Sequence, residues 1–512
     1  MRRALVLIVG LLLAPGAAAQ DAPTVVASAG PEQVAVTVYR DPNRRGGREM
    51  DLEWLQGFAL VTETRTVTLP AGPAVLRFEG VAGGIVPASA IVTGLPGGTI
   101  EKNRDARLLS PASLVTGELG RRVTLRRTDR ATGRVREEEA EVVAAGAEQG
   151  VVLRTPAGVE SLRCSGLPET LVHAGVSAGL SAKPVLSVTT ASPAGGPATV
   201  TLSYLASGFD WTAAYVATVR PDGRTLDLHG WMTLANGNRE AFPDAEVQAV
   251  AGRLNRAAVR EVAEAAAELE LRCYPLGTTT SDLPTETAEE GEEIIVTGSR
   301  VLQAAFAPPP PPPAPMAEPP PPEDLGDLKL YRVPERVTVS ADGQKQVALL
   351  ARAGVPFERV SRVALPRAAA GPPTPTRIAL RMRNEKARGL GLALPAGSSA
   401  LYQKRRGGGR LLAGTGTVAD TAEGQRFRLD AGLSRQVLVG QQARPVPGGG
   451  DATVVATNAK PYPAVVEVRI GSPGDVRPGR ASSELARVDG VWTWTVTVPA
   501  NGRATLTYSV DQ

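Results

Sequence analysis

The fold class that the sequence predicts is mainly β: β-sandwich domains and a small SH3-like barrel, with a disordered acidic and proline-rich linker inserted. Three observations predict it. The 55 glycines and 43 prolines among the 512 residues favour many turns between short strands. Aromatic residues make up only 4% of the chain. Stretches of alternating apolar and polar residues recur about every eight to twelve residues, as in sandwiches and barrels.

The first residues are organised like a secretory signal peptide, expected to span 1–19. Arg2 and Arg3 form a charged start, residues 4–13 are apolar but too few to span a bilayer, and residues 17–19 are alanines that signal peptidase accepts. No cysteine follows the expected cleavage site, which argues against a lipid anchor, and no later stretch reaches the roughly 18 apolar residues of a membrane span. The mature protein is therefore expected in the periplasm or outside the cell.

The charge balance argues against nucleic acid as a partner. The formal net charge of +4 falls to +2 without the two leader arginines, whereas phosphate binding relies on a concentrated cationic face. The only histidines are His173 and His229, so a multi-histidine metal site or acid–base site is hard to build. We expect no cofactor, and we expect partners among other envelope proteins.

Two cysteines, Cys164 and Cys273, each follow a Leu-Arg pair. In an oxidising compartment they can form one disulfide, which would close a loop of about 100 residues and contribute up to about 4–5 kcal/mol. Two buried free thiols are the alternative. Mass spectrometry with and without reductant distinguishes the two.

Residues 25–107 are predicted to form an N-terminal β domain. Residues 34–39 and 59–69 alternate as strands, and 74–78 is expected to complete a hairpin with 59–69 through the turn at 70–73.

Residues 108–170 are predicted to form the small SH3-like barrel. Its arginine clusters within 121–127 and its glutamates at 137–139 are expected on the solvated faces of adjacent strands, where opposite charges pair.

Residues 180–276 are predicted to be the first segment of a β-sandwich. Within 198–236, three strands are expected, with reversals at 206–208 and at 221–223, which hold the glycines that turns need. Alternation places one apolar set on a buried face: Val200, Leu202, Tyr204, Trp211, Ala213, Tyr215, Ala217, Val219, Leu226, Leu228, Met232 and Leu234. Residues 256–270 are the one convincing helical stretch.

An acidic and proline-rich linker is predicted at 277–328, because its proline tract cannot join the centre of a sheet. Residues 329–512 return to strands and are predicted to be the second segment of the same sandwich. The chain is expected to end in a hairpin formed by 492–498 and 504–510.

Motifs spread over the chain resemble a bacterial domain of unknown function, number 4139, which forms the C-terminal part of mucoidy-inhibitor-like proteins. The residues that carry the resemblance are Tyr204 to Trp211 with Tyr215, Leu234 to Gly237, Phe242 to Ala245, Tyr331 to Pro334, Lys345 to Val347, Asn384, Gly389 to Gly391, Leu394 to Gly397, Thr457 to Lys460 and Trp492 to Trp494. Val36 to Tyr39 and Leu69 to Gly72 resemble the N-terminal domain usual in those proteins.

The resemblance implies an exported β-sandwich protein and transfers no catalytic residue. This sequence departs from the pattern in two places. The strand-rich segment 108–167 stands where those proteins carry a coiled coil, and Phe242 stands where the family often has tryptophan.

Two short motifs suggest chemistry. Residues 175–179 match the G-x-S-x-G of a hydrolase elbow around Ser177, but Pro184 and a strand follow where that motif needs a helix, so we interpret them as a loop. Residues 404–410, with the sequence KRRGGGR, could bind lipid phosphates or acidic glycan. The alternative, which we favour, is a basic hairpin tip kept soluble by its charge.

A candidate partner-binding strand lies within the linker at Ile294, Ile295, Val296 and Thr297. The segment 292–300 is similar to the one that opens the plug of TonB-dependent outer-membrane receptors. An extended β-branched strand on a tether is suited to joining the edge of a partner sheet. A strand that pairs within this protein, or one without use, is the alternative.

The sequence thus favours an exported, non-enzymatic envelope protein that acts as a structural or protein-interaction module. The alternative is an envelope hydrolase that acts on glycan or peptide, for which Ser177 beside His173, or a pocket with two acids, would be the evidence.

Export predicts a shortened mature chain. N-terminal sequencing of the protein from its native envelope is expected to begin near Gln20, because cleavage follows the small residues that end at Ala19. An intact Met1 on envelope-localised protein would contradict cleavage.

Overall fold

The computed structural model describes residues 23–252 and 320–511, apart from gaps at 29, 45–46, 48, 106–107, 130–131, 147–149, 163–168, 178–179, 368, 406–408, 447–448 and 476–477. The predicted fold class is confirmed: the protein is mainly β and contains several sheets. The leader, Cys164, Cys273, the stretch 256–270 and the segment Ile294 to Thr297 lie outside the described residues.

The N-terminal part of the chain holds eleven strands and one short helix among the described residues. In chain order these are β1 (Thr24–Ala27), β2 (Gln33–Tyr39), β3 (Gly57–Leu69), β4 (Gly72–Glu79), β5 (Ile91–Thr93), β6 (Glu101–Asp105), α1 (Pro111–Gly117), β7 (Arg122–Thr128), β8 (Val135–Gly146), β9 (Gly150–Thr155), β10 (Gly158–Ser161) and β11 (Glu169–Val172).

The rest of the described chain is built of strands. They are β12 (Val185–Ser192), β13 (Gly196–Val219), β14 (Thr225–Asn236), β15 (Phe242–Ala251), β16 (Glu323–Leu325), β17 (Leu328–Arg332), β18 (Val337–Val339), β19 (Gly343–Pro356), β20 (Glu358–Leu365), β21 (Gly371–Arg383), β22 (Gly397–Lys404), β23 (Arg410–Val418), β24 (Arg426–Val446), β25 (Gly449–Asn458), β26 (Ala464–Ile470), β27 (Ala486–Val488), β28 (Val491–Val498) and β29 (Gly502–Asp511). Single 3-10 turns lie at Leu52–Trp54, Pro87–Ser89 and Lys386–Arg388.

Among the described residues, the largest sheet has twelve strands and is organised around β13. Its main path runs β16-β17-β15-β2-β3-β13-β14-β19, with β5, β18, β22 and β23 attached beside it. Successive parts of β13 pair with β3, β5, β14 and β22. All twelve residues predicted for the buried face of 198–236 are buried.

The reversal predicted at 206–208 is wrong, because β13 continues through it as one strand of 24 residues. Gly208 adopts φ +77°, and the pairing with β3 shifts register between Ser207 and Phe209. A glycine at positive φ lets a strand absorb an extra residue as a bulge instead of turning back. The second predicted turn is real. Gly223 donates its N–H to the carbonyl of Arg220, and β13 pairs with β14.

The predicted hairpin of 59–69 with 74–78 is also wrong. β3 pairs with β2 and β13, so both of its edges are occupied. β4 instead pairs with β1 and β12 in a separate four-stranded sheet of order β1-β4-β12-β6. The turn at 70–73 therefore carries the chain from one sheet to the other.

Segments distant in sequence share the twelve-stranded sheet and one core. β2 pairs with β15, and β3 pairs with β13, so 25–107 is not a domain separate from 196–251. β19, β17 and β22 pair with β14, β15 and β13 respectively. The linker expected to reach 328 ends earlier, since β16 and β17 pair as a hairpin. One apolar cluster extends from Val34 to Leu429.

The C-terminal part forms an eight-stranded sheet of order β27-β28-β26-β20-β21-β24-β25-β29, with a second core of its own. Strands from both halves of the sheet contribute side chains to that core, including Val454, Val466, Trp494 and Leu506. The predicted terminal hairpin is wrong: β28 pairs with β26 and β27, whereas β29 pairs with β25.

Residues 122–172 form a five-stranded antiparallel sheet of order β10-β9-β8-β7-β11 over a small core with α1. The predicted pairing of opposite charges is observed: Arg126 binds Glu137 at 2.6 Å. Arg127 binds Glu160 on β10 at 2.6 Å and Glu169 on β11 at 3.0 Å, which links the two end strands. No described ladder joins β10 to β11, so closure into a barrel stays a prediction.

A buried polar network joins the twelve-stranded sheet to the four-stranded sheet. Glu63, Arg65 and Tyr204 are fully buried. The Tyr204 hydroxyl donates to Glu63 at 2.8 Å and accepts the N–H of Ala82 at 3.0 Å. Arg65 binds Glu63 at 2.5 Å and donates to the carbonyl of Glu79 on β4 at 2.9 Å. Burial first, and then the Glu63 charge, raise the pKa of Tyr204 well above its ordinary value.

Breaking this network is expected to destabilise the protein. Replacement Arg65→Met leaves the buried Glu63 charge unpaired, at a cost of about 3–5 kcal/mol. Tyr204→Phe removes one donor to Glu63 and one acceptor for Ala82, at a cost of about 1–3 kcal/mol. Urea denaturation measures both. The control Glu137→Gln, in a half-exposed pair, is expected to cost no more than about 1 kcal/mol. Equal effects for Arg65→Met and the control would contradict this account.

Candidate functional site

The Ser177 side chain forms hydrogen bonds within the fold. Its hydroxyl donates to Glu118 at 2.7 Å and lies 3.1 Å from the carbonyl of Gly117. Nδ1 of His173 is buried and has no hydrogen-bond partner among the described residues. Ala178 and Gly179 lie outside the described residues. The described geometry therefore does not bring Ser177 and His173 together as a nucleophile and its base.

The other candidate residues from the sequence lie in a strand, in a connection between two strands, or outside the described residues. His229 is half-buried in β14 and pairs with Val216 on one side and Ala351 on the other. The stretch 404–410 joins β22 to β23, as expected of a basic hairpin, with 406–408 outside the described residues. The candidate partner-binding strand at 294–297 also lies outside them.

Two kinds of site are not found in the part of the chain that the structure describes. No three side chains of histidine, cysteine, aspartate or glutamate are grouped as metal ligands require. The helices there are too short or too polar to cross a membrane.

An open groove lies at a seam of the twelve-stranded sheet, between β17 and β19. Its volume is about 520 Å³. β19 ends the main path of the sheet, and its outer edge pairs with no described strand. The residues lining the groove are Met232, Pro320, Pro321, Pro322, Tyr331, Arg332, Ala348, Leu349, Leu350, Arg352, Lys386, Gly389, Leu390, Gly391 and Leu392. Concave clefts with mostly apolar walls and a few polar groups are the usual places where ligands bind.

The loop from Gly389 to Leu392 forms one wall and is held by a single buried side chain. The Asn384 amide oxygen accepts the N–H groups of Gly391 at 3.0 Å and Leu392 at 3.3 Å. Its nitrogen donates to the carbonyls of Leu392 at 2.6 Å and Ala422 at 2.9 Å. Gly391 has φ +80°, and an added Cβ there would lie 2.5 Å from the backbone nitrogen of Lys386. The shape of this wall therefore depends on Asn384 and Gly391.

An aromatic pair supports the floor. Tyr331 is buried, and its ring centroid lies 5.7 Å from that of Trp211 on β13. The Tyr331 hydroxyl donates to the carbonyl of Ala393 at 3.2 Å, and Trp211 donates to the carbonyl of Val250 at 3.0 Å. Burial raises the pKa of Tyr331 well above its ordinary value, so its hydroxyl stays protonated. These contacts fix the floor rigidly to the central strand.

The groove combines an apolar floor with a cationic rim. Met232, Leu350 and Leu390 are almost fully buried beneath it. Among its described lining residues, the charged ones are Arg332, Arg352 and Lys386, all of them cationic. Arg332 binds Glu323 at 2.8 Å, whereas Lys386 is exposed and forms no ion pair with a described residue. The lining offers van der Waals surface and positive charge, without a described nucleophile or carboxylate.

Three prolines of this same chain form one side of the groove. Pro320, Pro321 and Pro322 lie at the described end of the proline tract, directly before β16. Consecutive prolines form an extended polyproline helix, the conformation that binding grooves with aromatic and apolar walls recognise in partner proteins. The groove therefore already contacts a segment of the class that such grooves bind.

Sequence reasoning did not find this groove. Its lining comes from β14, β17, β19, the loop after β21 and the prolines, which only the sheet topology brings together. Two signals were present. The proline tract predicts a linker and not a groove wall, and Asn384 with Gly389 to Gly391 carries part of the family resemblance.

Several residues that carry the resemblance form buried contacts within the fold. Tyr204 belongs to the buried network, and Tyr215 donates to the carbonyl of Pro395 at 2.6 Å. Asp210 is buried, accepts the N–H groups of Asp41 and Trp211, and is ion-paired with Arg44.

No family model matches the chain, and no curated protein matches it. The resemblance to domain 4139 stays a prediction.

Proposed function

We propose that this protein is an exported, non-enzymatic envelope protein that binds other envelope proteins, and that the groove between β17 and β19 receives an extended segment of the partner. The observation that carries the proposal is the contact of Pro320 to Pro322 with this groove. Export rests on the signal-peptide pattern at 1–19.

The chemistry of the groove supports a protein segment as its ligand. Its apolar floor suits proline or aliphatic side chains, and its cations at Arg352 and Lys386 suit an acidic flank. The open edge of β19 could add backbone hydrogen bonds to an extended chain. The segment Ile294 to Thr297 would add a second, strand-based contact in the same mode.

Photo-crosslinking from the groove tests the proposal. A photoreactive phenylalanine analogue placed at Lys386, on the exposed rim, is expected to form adducts with a distinct envelope protein in cells. The matched control places the same analogue at Lys183, which is exposed and is not a lining residue of the groove. A synthetic peptide of residues 314–325 in excess is expected to reduce the Lys386 adducts in envelope extract, and a scrambled peptide is not.

The same protein with P320G, P321G and P322G is expected to form more adducts, because its own prolines no longer cover one side of the groove. Identical adducts from Lys386 and Lys183, unaffected by the peptide, would contradict a binding groove at this seam.

A further inference from the structure

A second surface, on the eight-stranded sheet, carries a regular array of arginines. Arg381 and Arg383 lie two residues apart on β21, and Arg426 and Arg428 lie two residues apart on β24. The register pairs Arg381 with Arg428 and Arg383 with Arg426. Residues two apart on a strand share a face, and directly paired residues lie on the same face about 5 Å apart. The four side chains thus form a two-by-two array on one face.

The inner row of this array is neutralised. Arg381 binds Glu358 at 2.5 Å and also binds Glu467, and both contacts lie on the same face. Arg428 binds Asp489 at 2.7 Å. Carboxylates therefore offset the repulsion between the two inner arginines, and this row has a structural role.

The outer row is not neutralised. The Arg426 side chain is exposed and forms no hydrogen bond or ion pair with a described residue. Asp489, whose charge also acts on Arg426, is bound by Arg428 at 2.7 Å. Arg383 lies 3.5 Å from Glu385, but Arg388 lies 3.5 Å from the same carboxylate. Arg383 and Arg388 thus share the single carboxylate of Glu385, and Arg426 lies within ion-pair distance of no described carboxylate. Like charges directly opposite on adjacent strands destabilise a sheet, so this arrangement costs stability and adds none.

These arginines surround a pocket of about 330 Å³. Arg381, Arg383, Arg388 and Arg426 line it, and Glu358 is the one carboxylate among its lining residues. The remaining walls are apolar: Pro356, Phe357 and Met382. The pocket is large enough for an anionic group together with a few more heavy atoms of the molecule that bears it.

The positive field extends beyond the pocket. Arg362 on β20 is partly buried beside Glu467, 3.2 Å away. Burial first, and then the charge of Arg428, lower the pKa of Arg362 from its ordinary value. Arg362 and Arg428 therefore lie close together on this face of the eight-stranded sheet, with Glu467 and Asp489 near them.

We propose that the outer arginine row is a binding site for a phosphate oxyanion, either free or on a phospholipid headgroup. Guanidinium groups bind phosphate oxygens in bidentate fashion, and two opposed arginines become favourable neighbours when one anion bridges them. The exposed position of Arg383, Arg388 and Arg426 leaves their donors accessible to such a ligand. No residue lines both this pocket and the groove, although Arg388 and Lys386 lie in one 3-10 turn, so the failure of either proposal leaves the other standing.

Calorimetric titration with inorganic pyrophosphate in low salt tests the site. Wild-type protein is expected to bind it saturably, and binding is expected to weaken as salt is added. The double variant R383Q/R426Q is expected to lose about 10- to 100-fold in affinity, because two charge-assisted contacts are removed. The matched control R122Q/R136Q removes two arginines, each 80% exposed in the side chain, from the five-stranded sheet and is expected to bind like wild type.

A stability measurement separates lost binding from lost folding. Without ligand, the Tm of R383Q/R426Q is expected to equal or exceed that of wild type, because the repulsion in the outer row is gone. Flotation with phosphatidylglycerol vesicles then identifies the source of the phosphate. Binding that the double variant loses assigns the site to a headgroup, and binding of pyrophosphate alone assigns it to a free anion.

Two results would overturn the proposal. One is the absence of saturable binding of both pyrophosphate and vesicles to wild-type protein in low salt. The other is equal affinity for the double variant and the R122Q/R136Q control.

Discussion

The fold depends on the backbone hydrogen bonding of one strand. β13 runs for 24 residues and pairs on both edges, with β3 and β5 in its first part and with β14 and β22 in its last. Its alternating residues from Val200 to Val219 fill the core. Because every backbone polar group in a buried strand needs a partner, a strand of this length must collect neighbours from distant parts of the chain. The segments 57–69, 225–236 and 397–404 are those neighbours.

That constraint explains where the two surfaces lie. β13 fixes β14, which in turn fixes β19, the strand that ends the sheet and forms one side of the groove. Trp211 on β13 supports Tyr331 in the groove floor. β19 then passes through Pro356 and Phe357 into β20, which begins the eight-stranded sheet and the arginine pocket. Both surfaces therefore stand on strands, and segments between strands complete them: Pro320 to Pro322 and Gly389 to Leu392 at the groove, and Phe357 with Arg388 at the arginine pocket.

The sequence predicted well which side chains lie on the buried face of a strand. It predicted poorly which strands pair with each other. Alternation placed Leu202, Trp211 and Leu228 correctly in the core, because burial on one face of a strand is a local property. The hairpins expected at 59–78 and 492–510 were wrong, because an adjacent strand in sequence competes with distant strands for the same edge. Gly208 predicts a turn in the sequence but forms a bulge in the structure, since a glycine at positive φ serves a bulge as well as a reversal.

The sequence alone could not predict the groove or the arginine pocket, for the same reason. The arginines of β21 and β24 are 43 or more residues apart, and only the register reveals that Arg383 opposes Arg426. The G-x-S-x-G match was a local pattern without the required context, and Ser177 binds Glu118 instead. Local patterns therefore described the elements, whereas the binding surfaces arise from the topology.

Hydrogen exchange of the intact protein in increasing urea tests the central claim, that distant segments form one sheet around β13. Peptides from β3, β13 and β19 are expected to lose protection at the same urea concentration, because they share hydrogen bonds and one core. Loss of protection in β3 at clearly lower urea, while β13 and β19 stay protected, would show an independent N-terminal domain and contradict this account.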